Sequence, residues 1–139
     1  MEGEYEELYR EIILDNYKNP RNKGRLGSPT ASAFDANPLC GDEISMDVII
    51  KNGVVEKIAF EGAGCAISIA SASLLTQWAQ GKRLKAALKT DKKLVLKMLG
   101  GIDPGPSRIK CAMLPLKVLK LALIGAQAKK LQKKPAALP

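Results

Sequence analysis

Cys40, Asp42, Cys65 and Cys111 are the residues whose types could do chemistry together. Cys40 and Asp42 stand two apart in Asn37-Pro38-Leu39-Cys40-Gly41-Asp42, where proline and glycine bracket the thiol and turn the backbone. Cys65 follows Gly62-Ala63-Gly64 at the start of a helical pattern, where backbone N–H groups and the helix dipole favour a thiolate. Cys111 lies in Arg108-Ile109-Lys110-Cys111-Ala112, with two cations close to the sulfur in sequence. Three thiolates brought together repel unless a cation sits between them, which suits a metal with three sulfur ligands. Asp42 can supply the fourth donor of a zinc tetrahedron. A carboxylate is harder and more readily exchanged than sulfur, so such a site could open a position. The spacing also allows a blander outcome. No Cys-x-x-Cys pair brings ligands together locally, and cysteines outside disulfides often serve as small core residues.

The rest of the composition narrows the options. The chain has 139 residues and no histidine, which removes a Ser-His-Asp triad, a Cys-His dyad and every histidine-containing zinc pattern. Three separated cysteines argue against a disulfide framework. One domain spanning 1–139 is expected, with a core large enough to fold without staples. No apolar run is long enough to cross a bilayer, so no membrane partner is expected. The acidic opening Met1-Glu2-Gly3-Glu4-Tyr5-Glu6-Glu7 is unlike a targeting peptide, so the expected compartment is the cytoplasm. Charge is divided unevenly: residues 1–80 sum to −5 and residues 81–139 to +13. A basic half suits a solvated helix face, an acidic protein partner or nucleic acid. Aromatics make up only 4% of the chain, and no recognition-helix or zinc-knuckle pattern is present, so nucleic acid is not the expected partner.

The elements that must position the four residues can be read from periodicity. Residues Glu4–Tyr17 predict an amphipathic helix with glutamates in its first turns, ended by Asn19-Pro20 and the following glycines. A short strand is predicted over 31–37. Residues 44–51 alternate through Ile44, Met46, Val48 and Ile50, and residues 54–62 form a second β-rich run across Asn52-Gly53, a strong hairpin signal. Residues 65–79 switch to a small-residue helical pattern, and shorter helices are predicted near 82–89 and 91–99. A last helix is predicted from about Ser107 to about Lys130, with Pro115 either marking a first turn near Leu114 or kinking it. The tail from about 131 to 139 is expected to fray. Strands followed by helices predict an α+β fold, a small antiparallel sheet of about three strands with helices packed on one face.

The segment "NPLCGD" (Asn37–Asp42), the run "FEGAGCAISIASASLLT" that begins at Phe60, and "RIKCAMLPLKVL" resemble the three cysteine segments of the U-type iron–sulfur cluster assembly proteins, the family of IscU, SufU and the NifU N-terminal domain. "LYREIILDNYKNPRNKG" resembles the family's first helix and loop, and the likeness runs from about Leu8 to about Ala122. The resemblance implies a cluster or metal held by Cys40, Asp42, Cys65 and Cys111. It implies sulfur taken from a cysteine desulfurase, a transient [2Fe–2S] cluster in the scaffold branch, zinc on the same ligands in isolated proteins, and apo iron–sulfur proteins as downstream acceptors. It points to Cys40 as sulfur acceptor in the SufU branch and to Cys111 in the IscU branch. A zinc-dependent sulfurtransferase that carries persulfide but no cluster is the alternative within the family. Outside it, a zinc-stabilised interaction module remains. Two departures stand out. The scaffold branch has histidine before its third cysteine, where this chain has Lys110, a residue that could instead tune the Cys111 thiolate. The SufU branch carries an insertion before that cysteine for which the stretch between Cys65 and Cys111 leaves no room. The scaffold branch's Leu-Pro-Pro-Val-Lys motif is absent from "GIDPGPSRIK", so a dedicated Hsp70-type chaperone is not expected.

Overall fold

The computed structural model describes residues 2–39, 41–101 and 105–133. The elements run α1 (Glu2–Lys18), β1 (Ala31–Asn37), β2 (Asp42–Lys51), β3 (Val54–Ala63), α2 (Ala66–Ala79), α3 (Leu84–Leu88), α4 (Lys92–Met98) and α5 (Pro106–Lys133). The strands form one antiparallel sheet in the order β1-β2-β3. The α+β class and the three-stranded sheet are as the sequence predicts.

Alternation decides which face of the sheet is covered. Ile44, Met46 and Val48 of β2 are buried, and the register pairs Met46 with Phe60 and Val48 with Ile58 on the same side. This face meets α2 and α5 through Leu75, Val118, Leu119 and Leu123. Each such side chain contributes roughly 1.5–3 kcal/mol by leaving water. The same parity turns Asp42, two residues before Ile44, toward the helices, and its side chain is buried. At the other end of the strands Asn52 (φ 53°) and Gly53 (φ 74°) both take positive φ, the tight hairpin turn that Asn-Gly signals.

The helices form more than one layer. α2 and α5 lie on the sheet, and α1 packs on α2. The small residues of α2 allow this, since Ser68, Ala70, Ser71, Ala72, Ser73 and Thr76 are all buried. The α1–α2 contact includes polar bonds beside buried Ile13: Ser73 Oγ and Gln77 Nε2 donate to Asn16 Oδ1 at 2.7 and 3.0 Å.

The opposite face of the sheet is crossed by the segment between α1 and β1. Gly24 N–H donates to Phe60 O and Phe60 N–H to Asn22 O, at 2.8 and 2.9 Å, along the outer edge of β3. Asp47 of β2 then anchors the crossing: it accepts from Arg25 Nε (2.8 Å), Leu26 N–H (3.0 Å) and Ser32 Oγ (2.6 Å). Its side chain is 1% exposed. Burial pushes the Asp47 carboxyl up, but the bonds from Ser32, Leu26 and Arg25 and the guanidinium charge together hold it below the usual carboxylate range. No pattern in the sequence announces this anchor.

Element ends shift modestly from expectation. α1 extends one residue past Tyr17 and begins two before Glu4, while α3 and α4 are shorter than predicted. α5 begins on Pro106, which suits a first helical position, and continues to Lys133. Pro115 therefore lies inside the helix and does not begin it. It has no N–H to offer the Cys111 carbonyl four residues back. Residues 134–139, most of the expected frayed tail, lie outside the described residues, as does Cys40.

Candidate metal centre

Three of the four residues singled out by type are brought to one point. One ligand atom from each of Asp42, Cys65 and Cys111 lies within 4.8 Å of the other two. They arrive on separate elements: Asp42 opens β2, Cys65 is the N-cap of α2, and Cys111 sits in the second turn of α5. Cys40, the fourth, lies outside the described residues. Its neighbours Leu39 and Gly41 are exposed, Leu39 at 84%. The turn around them is closed by Gly41 N–H donating to Asn37 O (2.8 Å) and Leu39 N–H to Asn37 Oδ1 (3.0 Å), with Gly41 at φ 72°.

The carboxylate and the first sulfur are held together directly. Cys65 N–H donates to Asp42 Oδ1 at 3.2 Å, and Cys65 Sγ lies 3.7 Å from Asp42 Oδ2. Ser68, fully buried one turn into α2, donates to Cys65 O at 3.0 Å and places its Oγ 3.9 Å from Cys65 Sγ. Gly64 makes the approach possible. A Cβ there would stand 2.8 Å from Asp42 Oδ1 and 2.9 Å from Asp42 Cγ, and would also collide with Ser68 Oγ. The third candidate ligand is positioned through its neighbour: Ser71 Oγ donates to Ala112 O at 2.9 Å and ties α2 to α5 beside Cys111. Sequence reasoning does not single out Gly64, Ser68 or Ser71 as site residues. The glycine run before Cys65 is the one available signal.

The donor set fits a thiophilic cation. With zinc–sulfur bonds of about 2.3 Å, tetrahedral ligand atoms stand roughly 3.5–3.8 Å apart, so donors within 4.8 Å need only a small contraction. The electrostatics agree. The positive ends of α2 and α5 face this pole, and neither helix has an acidic residue in its first turn. Asp42 is 3% and Cys111 4% exposed, whereas Cys65 is half-buried. Lys110 is exposed, next in sequence to a buried sulfur.

Two sulfurs and a carboxylate converge from a strand, a helix cap and a second helix at one end of a three-stranded sheet, an α+β domain with a donor group that could hold a metal. The chain belongs to the NifU-like N-terminal domain family, whose profile matches residues 8–133. It is 40% identical to the zinc-dependent sulfurtransferase SufU of Bacillus subtilis, over 81% of this chain and 87% of that protein. It is 32% identical to the iron–sulfur cluster assembly scaffold protein IscU 1 of Archaeoglobus fulgidus, over 84% of this chain and 75% of that protein. Among solved structures it resembles a SUF-system iron–sulfur cluster assembly scaffold from Fervidobacterium islandicum, with TM-score 0.72 and 27% identity over 81% of this chain and 94% of that one. Among the described residues no helix is long and apolar enough to cross a membrane.

Proposed function

We propose that this protein accepts sulfur from a cysteine desulfurase and holds a transient [2Fe–2S] cluster, or zinc, on Cys40, Asp42, Cys65 and Cys111 before passing its cargo to apo iron–sulfur proteins. The observation that carries the reading is the convergence of Asp42, Cys65 and Cys111 within 4.8 Å. Cys40 completes the set because it is two residues from Asp42 along the chain. When bound, the metal supplies charge neutralisation for the gathered thiolates.

The chain's own groups define the sulfur step. An acceptor thiolate attacks the outer sulfur of the desulfurase persulfide. The donor S–S bond breaks, the donor leaves as a thiolate, and a persulfide forms on the acceptor with no net redox change. Cys40 is the proposed first acceptor: it lies between two exposed residues, whereas Cys111 is 4% exposed. Asp42 accepts the Cys65 N–H on Oδ1, which holds the carboxylate on the site with Oδ2 beside Cys65 Sγ. Oxygen donors exchange more readily than thiolates, so Asp42 is the ligand proposed to let go first.

A second reading, a zinc-dependent sulfurtransferase that never carries a cluster, is favoured by Lys110. Its ammonium cannot ligate iron without losing a proton, whereas a neutral histidine nitrogen can. One experiment separates the two. The protein, the desulfurase, cysteine, ferrous iron and a thiol reductant, which supplies the electrons that take persulfide sulfur to sulfide, are mixed without oxygen and the visible spectrum is recorded. Cluster absorption that depends on the three cysteines supports the scaffold. Faster sulfide release without a chromophore supports the sulfurtransferase, and neither effect would remove both.

A further inference from the structure

A run of cations lies on and around α3 and α4, outside the ligand cluster. Lys82, Arg83, Lys85, Lys89, Lys92, Lys93 and Lys97 are all exposed on and around α3 and α4. The one acidic residue among them, Asp91, is engaged as the N-cap of α4, accepting from Leu94 N–H at 3.0 Å. Among the described residues none of the seven makes an ion pair. Lys82 alone has another electrostatic contact, lying 5.5 Å from the Trp78 ring centroid.

A solvated helix face does not account for this arrangement. Solubility is served by mixed signs, and opposite charges four apart support a helix, whereas like charges destabilise it. Here Lys85/Lys89 and Lys93/Lys97 are like-charged at that spacing. Four cations elsewhere are ion-paired: Arg21 with Asp15, Arg25 with Asp47, Lys51 with Glu56 and Lys117 with Asp35. Along the chain the basic segment leads toward Cys111. It starts at the β2–β3 turn, where Leu84 N–H donates to Gly53 O at 2.8 Å. From the end of α4 at Met98 the chain reaches Pro106 in eight residues, and Arg108 and Lys110, both exposed, precede Cys111 on α5.

We propose that α3 and α4, continued by Arg108 and Lys110, form an electrostatic docking face for an acidic surface of the sulfur-donor protein, guiding it to the ligand pole. The inference rests on reading that pole as the sulfur acceptor. A compact cluster with two nearly buried ligands offers little contact area of its own. The charged face supplies the long-range attraction that speeds and orients encounter.

The test uses the full chain with Lys89→Glu and Lys93→Glu together. This exchange turns both like-charged pairs into opposite ones and touches no ligand residue, so the melting temperature should be no lower than the parent's. Binding to the desulfurase is measured from about 50 to about 500 mM salt, a range over which screening lengths shrink several-fold. Persulfide transfer is followed over a range of desulfurase concentrations. The expected result is at least a roughly ten-fold weaker Kd at the lowest salt, a flatter salt dependence, lower kcat/KM and unchanged kcat. A Kd and salt dependence equal to the parent's would overturn the proposal. So would selective loss of affinity for duplex DNA or phosphatidylglycerol vesicles with desulfurase binding intact. If the parent binds the desulfurase but accepts no sulfur, the reading of the site fails and the binding data still decide the face. If sulfur moves equally well to both proteins, the face fails and the site reading stands.

Discussion

Gly64→Ala is the sharpest perturbation available without altering a ligand. The added Cβ would stand 2.8 Å from Asp42 Oδ1, whereas ordinary contact begins at 3.4 Å, so a carboxylate that yields to it retreats by about 0.6 Å. Metal sites tolerate about 0.2 Å of error in ligand distance. A displacement about three times larger would take Asp42 off a metal bound at the proposed site. Displacing a ligand should cost at least the roughly 10–100-fold in affinity, or about 1.4–2.7 kcal/mol, that follows loss of a group orienting a ligand. Overpacking adds a separate cost of about 1–3 kcal/mol to the metal-free fold. Urea unfolding of the metal-free protein reads the second quantity, and zinc competition against a chromophoric chelator reads the first. Gly27→Ala is the control, since a Cβ there meets nothing within 4 Å. Adding Ser68→Ala removes the second obstruction, the Ser68 hydroxyl, and should restore part of the stability but not the zinc affinity. A Gly64→Ala protein that loses stability yet binds zinc within about two-fold of the parent would refute Asp42 as a ligand.

Asp42→Ala should lengthen the half-life of a reconstituted cluster during transfer to an apo-acceptor, because the readily exchanged ligand is gone; equal or faster transfer counts against that role. Asp47→Asn should destabilise the protein by about 2 kcal/mol near neutral pH, discounted for the half-exposed Arg25 partner. Because the Asp47 carboxyl is depressed in the folded state, its contribution is complete above about pH 4 and is lost as pH falls through the folded value. Parent and Asp47→Asn unfolding curves should therefore converge in acid, and a constant gap would be inconsistent. In the metal-free protein iodoacetamide should alkylate half-buried Cys65 before Cys111, read by peptide mass spectrometry; the reverse order would contradict the burial seen here. If Lys110 tunes the Cys111 thiolate, Lys110→Ala slows sulfur transfer at unchanged metal content, and an unchanged rate removes that role.

Much of the scaffold is legible because local signals and global packing agree. The alternation of Ile44, Met46 and Val48 identifies β2 and, by parity, fixes the side to which Asp42 points. Asn52-Gly53 identifies the hairpin that returns the chain to Cys65. The convergence with Cys111 is less legible. It joins a strand start to a helix residue 69 positions later, and no local spacing encodes that distance. Gly64 and Ser68 are hidden for a related reason: their roles depend on what a side chain would meet in three dimensions. Asp47 looks like an ordinary polar residue on the open side of a strand. Its burial arises because the segment after α1 folds across the sheet, and no periodicity announces that crossing. Pro115 shows the converse, since packing on the sheet and on α2 carries α5 through a residue that local preference would place at a helix boundary.

The central claim is that the two sulfurs and one carboxylate seen together here join Cys40 around a single metal. X-ray absorption at the zinc edge of the protein loaded with one equivalent tests it most directly. Zinc on these four residues should show three sulfurs near about 2.3 Å and one oxygen near about 2.0 Å, with one sulfur fewer in each single Cys→Ser variant at positions 40, 65 and 111. A shell of oxygen and nitrogen alone, or one unchanged by those substitutions, would contradict it.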